Sequence, residues 1–221
     1  MIRMKVVAFT PSRLNSQRVP QKNIKKLGGV PLVNYALWTM NKIELINEII
    51  VFASEPSICD FIKSGIRYKY LERPAFLDTQ VAKVQDLIRE FLKLYDADII
   101  MMFHITSPFL RPETVHECLE KVRFGGYDSA LTAFMIDRRC WFKGKPLNFS
   151  YEEEDGGQIS PVIVEHSIYV FKKEVFETTG QRISSNPYIK IIDHFEGHDI
   201  DTAEDFRIAE LIVNTGLFDL H

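Results

Sequence analysis

An α/β fold with a doubly wound, mostly parallel sheet is predicted by three observations. Short runs of β-branched and aromatic residues alternate along the chain with segments of helical apolar period. Several of these runs carry no polar interruption, as in strands covered on both faces. The most cationic loop follows the first run directly, at the carboxyl end of a strand, where open α/β sheets bind ligands.

The elements follow in order. Residues 6–9 (VVAF) form a buried strand, and residues 30–43 repeat apolar side chains at helical spacing. Residues 48–54 (EIIVFAS) are a second buried strand. Pro56 opens a short helix that Gly65 ends, and 67–71 alternate as a third strand. Residues 81–95 give an amphipathic helix with Val81, Val84, Leu87, Ile88, Phe91, Leu92 and Tyr95 on one side. Residues 98–105 (DIIMMFHI) read as the central strand, followed by a helix over 113–123 and a strand over 129–136. From 137 to 165 the pattern breaks into turns, aromatic residues and an acidic run that includes Asp155-Gly156-Gly157, a hairpin signal. Trp141, Phe142, Phe149 and Tyr151 are rings that such an arm cannot easily bury alone, which predicts a partner surface. Strands over 166–171 and 188–192 and a helix over 203–217 complete the chain, with Asp201 or Thr202 suited to cap that helix.

A chain of 221 residues with 46% hydrophobic content buries a sizeable core and reads as one domain over 1–221, with 137–165 an arm within it. A net charge of -3 speaks against a nucleic-acid binder. Cys59, Cys118 and Cys140 show no C-x-x-C spacing, which fits packing thiols in a reducing, cytoplasmic setting. The apolar run near the start ends by Pro11 without a cleavage site, and no stretch approaches the ~20 apolar residues of a membrane span.

Two places carry chemistry. The loop after the first strand gathers Pro11, Arg13, Ser16, Arg18, Pro20, Lys22 and Asn23. Its cations and backbone N–H groups suit several phosphate oxygens, although a solvated basic turn has the same composition. It is neither G-x-x-x-x-G-K-[ST] nor G-x-G-x-x-G. Near the other end lies Asp199-Ile200-Asp201. Carboxylates at i and i+2 of an extended segment share a side, and two such groups suit Mg²⁺ held jointly with substrate phosphates.

The string P-S-R-L-N-S-Q-R-V-P-Q-K-N followed by L-G-G-V-P-L, the later T-S-P-F-L, and D-I-D-T-A-E-D-F resemble the sugar-acid cytidylyltransferases, the family of CMP-N-acylneuraminate synthetases and their CMP-Kdo relatives. The resemblance implies a Rossmann-like sheet of the nucleotide-diphospho-sugar transferase type. It implies that Pro11, Arg13, Ser16, Gln17, Arg18, Lys22 and Asn23 wrap the triphosphate of CTP, with Arg73 of the Glu72-Arg73-Pro74 turn near the cytidine. Without the resemblance, Arg73 reads equally as an arginine held by an acidic neighbour. His104, Thr106 and Ser107 at the end of the central strand, with Glu165 and Tyr169, would face the acceptor; a histidine at 104 reads more simply as a hydrogen-bonded core residue. Asp199 and Asp201 would hold Mg²⁺, and Arg13, Lys22 and Asp201 would be catalytic. The arm would form a homodimer.

Some positions depart from that pattern. Gln17 stands where sialic acid enzymes carry lysine, and Arg18 matches the S-x-R-[LI]-P of the Kdo branch. Position 104 is histidine rather than glutamine, His166 and Ser167 replace the usual N-G-A context, and Ala82-Lys83-Val84 replace a serine-rich helix start. The expected reaction is transfer of CMP from CTP to an acidic sugar with release of pyrophosphate. The alternatives are a nucleotidyltransferase for a non-sugar acid, a phosphonate or a sugar phosphate, or a degenerate nucleotide-binding member of the fold.

Overall fold

A computed structural model describes residues 4–16, 18–79, 81–151 and 159–217. Its central sheet has seven strands: β1 (Val6–Ser12), β4 (Glu48–Ala53), β5 (Lys69–Glu72), β6 (Ile99–Phe103), β7 (Ser129–Ile136), β10 (Val162–Lys172) and β11 (Tyr188–Ile191). They lie in the order β11-β7-β10-β6-β1-β4-β5, so the strand read as central from 98–105 is indeed the middle one. All neighbours are parallel except β10, which runs antiparallel to both β6 and β7.

The unbroken apolar strands are explained by two separate cores. Val6 and Ala8 of β1, with Ile99, Met101 and Phe103 of β6, face one cluster; Val7 and Phe9, with Ile100 and Met102, face the other. Alternating side chains of one strand thus enter opposite cores, and every position must be apolar. The first core is closed by α1 (Val33–Asn41), α3 (Pro112–Arg123) and α5 (Ala203–Asn214), through residues such as Leu37, Leu119 and Phe206. The second is closed by α2 (Val84–Leu94) and α4 (Lys173–Thr179), through Ile88, Phe91 and Phe176. Phe91 stacks on Phe9 at 4.2 Å between ring centroids, which fixes α2 over β1. Truncation of a ring buried in this way costs about 3–5 kcal/mol.

Three boundaries differ most from the sequence reading, and one helix is additional to it. The helix expected over 30–43 begins at Val33, because β2 (Lys26–Leu27) and β3 (Val30–Pro31) pair as a hairpin across Gly28 and Gly29, both at positive φ. The helix expected from 81 begins at Val84, where Asp86 Oδ2 accepts from the Lys83 amide at 3.0 Å; Val81 precedes it and is exposed. β10 takes in 162–165, four residues read as part of the arm. Helix α4 was not read at all, although Gly180 ends it in the left-handed conformation that favours glycine.

Within the arm, β8 (Trp141–Phe142) and β9 (Lys145–Pro146) form a small hairpin. Phe149, expected to be hard to bury, is covered locally by Trp141 and Tyr151, with Arg139 over its ring. Trp141, Phe142 and Tyr151 themselves stay exposed. The Asp155-Gly156-Gly157 hairpin signal lies outside the described residues. Cys118 is buried, Cys59 and Cys140 are partly so, and all three are free thiols.

Candidate functional site

β1 ends at Ser12, and the loop that leaves it is folded by its own side chains. Val19 is buried as an apolar anchor, and its carbonyl accepts from the Lys22 amide at 3.1 Å. Asn23 is buried and donates its side-chain amide to the Arg13 carbonyl at 2.9 Å, closing the loop on itself. Asn23 is thus a brace of the loop as well as part of its lining.

The C-terminal segment is carried to this loop by the central strand. The Ile200 amide donates to the Thr106 carbonyl at 2.8 Å, just beyond the end of β6, and the Ile200 side chain is fully buried. Lys22 Nζ donates to the Ile200 carbonyl and lies 3.3 Å from Asp201 Oδ1. Arg18 Nη2 reaches the same oxygen at 3.1 Å. The cationic loop and the acidic segment therefore meet.

Between them lies a cleft of about 530 Å³. Pro11, Arg13, Ser16, Arg18, Lys22 and Asn23 line it from the loop, and Arg73, His104, Thr106 and Asp201 line it from elsewhere. Gln17 lies outside the described residues. Ser107, Glu165, Tyr169 and Asp199 are not lining residues. Ser107 is buried beyond the strand end, its amide donating to the His104 carbonyl at 3.2 Å. Glu165 is exposed on β10 and accepts from the Tyr169 hydroxyl at 3.2 Å, while Tyr169 is buried.

Asp78 organises one wall. It forms an ion pair with Arg73, its backbone carbonyl accepts from Arg13 Nη1 at 3.1 Å, and its carboxylate also takes the Ser54 hydroxyl. The acidic partner of Arg73 is therefore Asp78 rather than the adjacent Glu72. Burial holds Arg73 below the usual guanidinium value despite that partner. Arg73 Nε and the Ser12 hydroxyl are buried without hydrogen-bond partners among the described residues, and both residues line the cleft. Such atoms are costly unless a ligand meets them.

The floor is neutral. The His104 imidazole is lowered to about 4, first by burial and then by the Arg182 and His166 charges, with Asp201 opposing. It is uncharged at pH 7. Its ring lies 5.8 Å from that of Tyr169, whose hydroxyl burial pushes up to about 12.

For a cation, the residues offer Asp201 Oδ1, already facing two positive groups, and Asp199 Oδ1, a buried carboxylate oxygen with no hydrogen-bond partner among the described residues. No cluster of three or more His, Cys, Asp or Glu side chains suited to a metal occurs among the described residues. Two carboxylates with substrate phosphates to complete the shell suit Mg²⁺ better than a metal needing a full protein cage.

Lys83, Ser12 and Arg182 were not singled out from sequence. Lys83 lines the cleft at the start of α2, in the Ala82-Lys83-Val84 stretch that replaces the serine-rich helix start of the resembling family. Ser12 carried no signal beyond its place at a strand end.

A mostly parallel α/β sheet with a cationic cleft at the carboxyl ends of β1 and β6 places the chain in the doubly wound α/β class. The chain belongs to the cytidylyltransferase family, whose model, described as Cytidylyltransferase, matches residues 7–179. It is similar to N-acylneuraminate cytidylyltransferase A of Danio rerio, 26% identical over 225 residues that span 93% of this chain and 50% of the relative. It is also similar to CMP-N,N'-diacetyllegionaminic acid synthase of Legionella pneumophila, 22% identical over 232 residues, 95% of this chain and 97% of the relative. The chain thus spans half the length of the first relative and nearly all of the second. Among solved structures, CMP:2-keto-3-deoxy-manno-octonic acid synthetase complexed with CTP shares the fold with a TM-score of 0.72 at 16% identity, covering 96% of this chain and 99% of the other.

Proposed function

We propose that this chain transfers CMP from CTP to an acidic sugar of the sialic, legionaminic or Kdo type, releasing pyrophosphate. The observation that carries this reading is the meeting of Arg18 and Lys22 with Asp201 on one cleft. A triphosphate brings about four negative charges, and Arg13, Arg18, Lys22 and Lys83 supply cations along that cleft. The names of the relatives support cytidine and an acidic sugar.

In the reaction, a hydroxyl oxygen of the sugar forms a bond to the α-phosphorus, the bond from that phosphorus to the bridging oxygen breaks, and pyrophosphate leaves. The hydroxyl proton passes to solvent. Arg13 and Lys22 hold charge that develops on the phosphates, and the rigid loop braced by Asn23 fixes their positions before CTP arrives. Ser12 and Arg73, with their unpartnered polar atoms, suit the nucleoside end. Asp199 and Asp201 would hold Mg²⁺, which when bound polarises the α-phosphate and neutralises phosphate charge. Arg18 and Lys22 then exchange Asp201 for phosphate oxygens.

The exposed Trp141, Phe142 and Tyr151 of the arm suit a homodimer, and the protein would act in the cytoplasm. Among the described residues, no helix is long and apolar enough to cross a membrane.

The test incubates the protein with each nucleoside triphosphate, Mg²⁺ and N-acetylneuraminate, N,N'-diacetyllegionaminate or 2-keto-3-deoxy-manno-octonate while pyrophosphate is measured. Release with CTP alone among the nucleotides, and only with an acidic sugar, is expected. CTP binding without turnover on any acidic acceptor would overturn the reading in favour of a nucleotide-binding role.

A further inference from the structure

We infer that Arg182 is the residue that takes the carboxylate of the acceptor, an inference that rests on the cytidylyl-transfer reading above. Its guanidinium carbon lies over the Tyr169 ring, 3.3 Å from the ring centroid. A cation–π contact of this kind leaves N–H groups of the guanidinium for an anion. No carboxylate of a described residue lies within ion-pair distance of Arg182, and none of its N–H groups has a hydrogen-bond acceptor there. The side chain is only partly exposed, so this is a cation withdrawn from water without a direct counter-ion. Burial holds it below the usual guanidinium value, and the nearby Tyr169 and Glu165 only partly offset this.

Its place relative to the cleft follows from its neighbours. Tyr169 pairs with Met102 across β6 and β10, and Met102 lines the cleft. The Tyr169 ring lies 5.8 Å from that of His104, another lining residue, and the Arg182 charge reaches His104. On the other side Gln181 accepts from Gln85 of α2 at 3.4 Å, and α2 begins with cleft-lining Lys83, Val84 and Leu87. Arg182 does not itself line the cleft; it lies over Tyr169, whose ring neighbours cleft-lining His104, a residue that the Lys22 and Asp201 charges also reach. The chain arrives there through a rigid stop: Gly180 caps α4 and its amide donates to the Phe176 carbonyl at 2.8 Å.

An acidic sugar differs from its neutral analogues by one carboxylate, a planar group that a guanidinium fork binds through two parallel hydrogen bonds. Two cation sets divide the substrates: the loop takes the triphosphate, and Arg182 takes the sugar acid.

The test uses calorimetric titration of N-acetylneuraminate and 2-keto-3-deoxy-manno-octonate, and of their methyl esters, into protein holding Mg²⁺ and the non-transferable analogue α,β-methylene-CTP. Wild type is expected to bind at least one acid 10-fold or more tighter than its ester. Arg182→Met, which keeps an apolar stem over Tyr169, should bind acid and ester equally. Arg182→Lys should regain part of the difference, since it restores charge without the fork. Both variants should bind α,β-methylene-CTP within 3-fold of wild type. An Arg182→Met protein that binds the analogue normally and still prefers acid over ester overturns the assignment, as does a wild type with no acid preference. Failure of wild type to bind any cytidine triphosphate would instead count against the parent reading.

Discussion

Lys22 Nζ lies 3.3 Å from Asp201 Oδ1, although 179 positions separate the two residues in the chain. The Asp201 side chain is 44% exposed, so its pairs with Lys22 and Arg18 contribute at most about 1 kcal/mol to folding. Asp201→Asn should therefore fold with a nearly unchanged melting temperature while turnover falls about 100-fold or more. Pyrophosphate-release kinetics beside thermal melts make the comparison. Unchanged turnover would remove Asp201 from the metal assignment. Because Arg18 and Lys22 neutralise Asp201 before nucleotide arrives, Mg²⁺ should bind weakly to the protein alone and more tightly with CTP, and by linkage CTP more tightly with Mg²⁺.

What the sequence made legible is the part governed by local pattern. The strands over 129–136 and 99–103 follow from apolar runs that two cores require, and the cationic loop from its density of charge. Arg182 left no such trace, because its importance arises from Tyr169, thirteen positions earlier on another element, whose ring it covers. Asp78 was equally silent: it lies in a short turn and acts through Arg73, Arg13 and Ser54. The exposed start assigned to α2 shows the reverse error, an apolar Val81 that fits the helical period but precedes the first hydrogen-bonded turn.

Gly28 tests why the helix expected from residue 30 starts later. At φ 54 it makes the β2–β3 turn, and a Cβ there would stand 2.5 Å from Val213 Cγ1 on α5. Gly29, at φ 83, has nothing within 4 Å of its Cβ position. Gly28→Ala should destabilise by about 2–4 kcal/mol, combining backbone strain with overpacking. Gly29→Ala should lose only the backbone part, on the order of 1 kcal/mol. Denaturant midpoints of the two variants check this; equal losses would show that the turn does not pack against α5 as described.

Glu48 fixes the amino-terminal end of the sheet through Lys5, at 2.8 Å, and through Lys69 and the Tyr95 hydroxyl. The Lys5, Lys69 and Tyr95 hydrogen bonds bring its carboxyl down to about 2. A depressed carboxyl stabilises the folded state at pH values above its unfolded value near 4.5, and that contribution is lost as the pH falls toward 2. After solvent screening the effect is on the order of 1 kcal/mol. Glu48→Gln should thus be less stable than wild type at pH 7, with the difference closing between about pH 4.5 and 2. Urea unfolding across that range measures it; a constant difference would refute the linkage.

His104 has a different window. Its imidazole sits at about 4 against an ordinary value of 6.5, chiefly through burial. Between these values the unfolded chain binds a proton that the folded chain does not, so stability falls as the pH drops from 6.5 to 4 and then levels. The size is on the order of 3 kcal/mol. His104→Gln removes the titrating group while keeping a neutral polar side chain, so its stability should change less over that interval than that of wild type. Turnover at pH 7.5 should stay within about 3-fold, because a neutral His104 supplies no charge to the phosphates. Activity and urea unfolding of both proteins at pH 7 and pH 4.5 give the answer. A loss of 100-fold or more with unchanged CTP binding would mean that His104 moves a proton in the reaction.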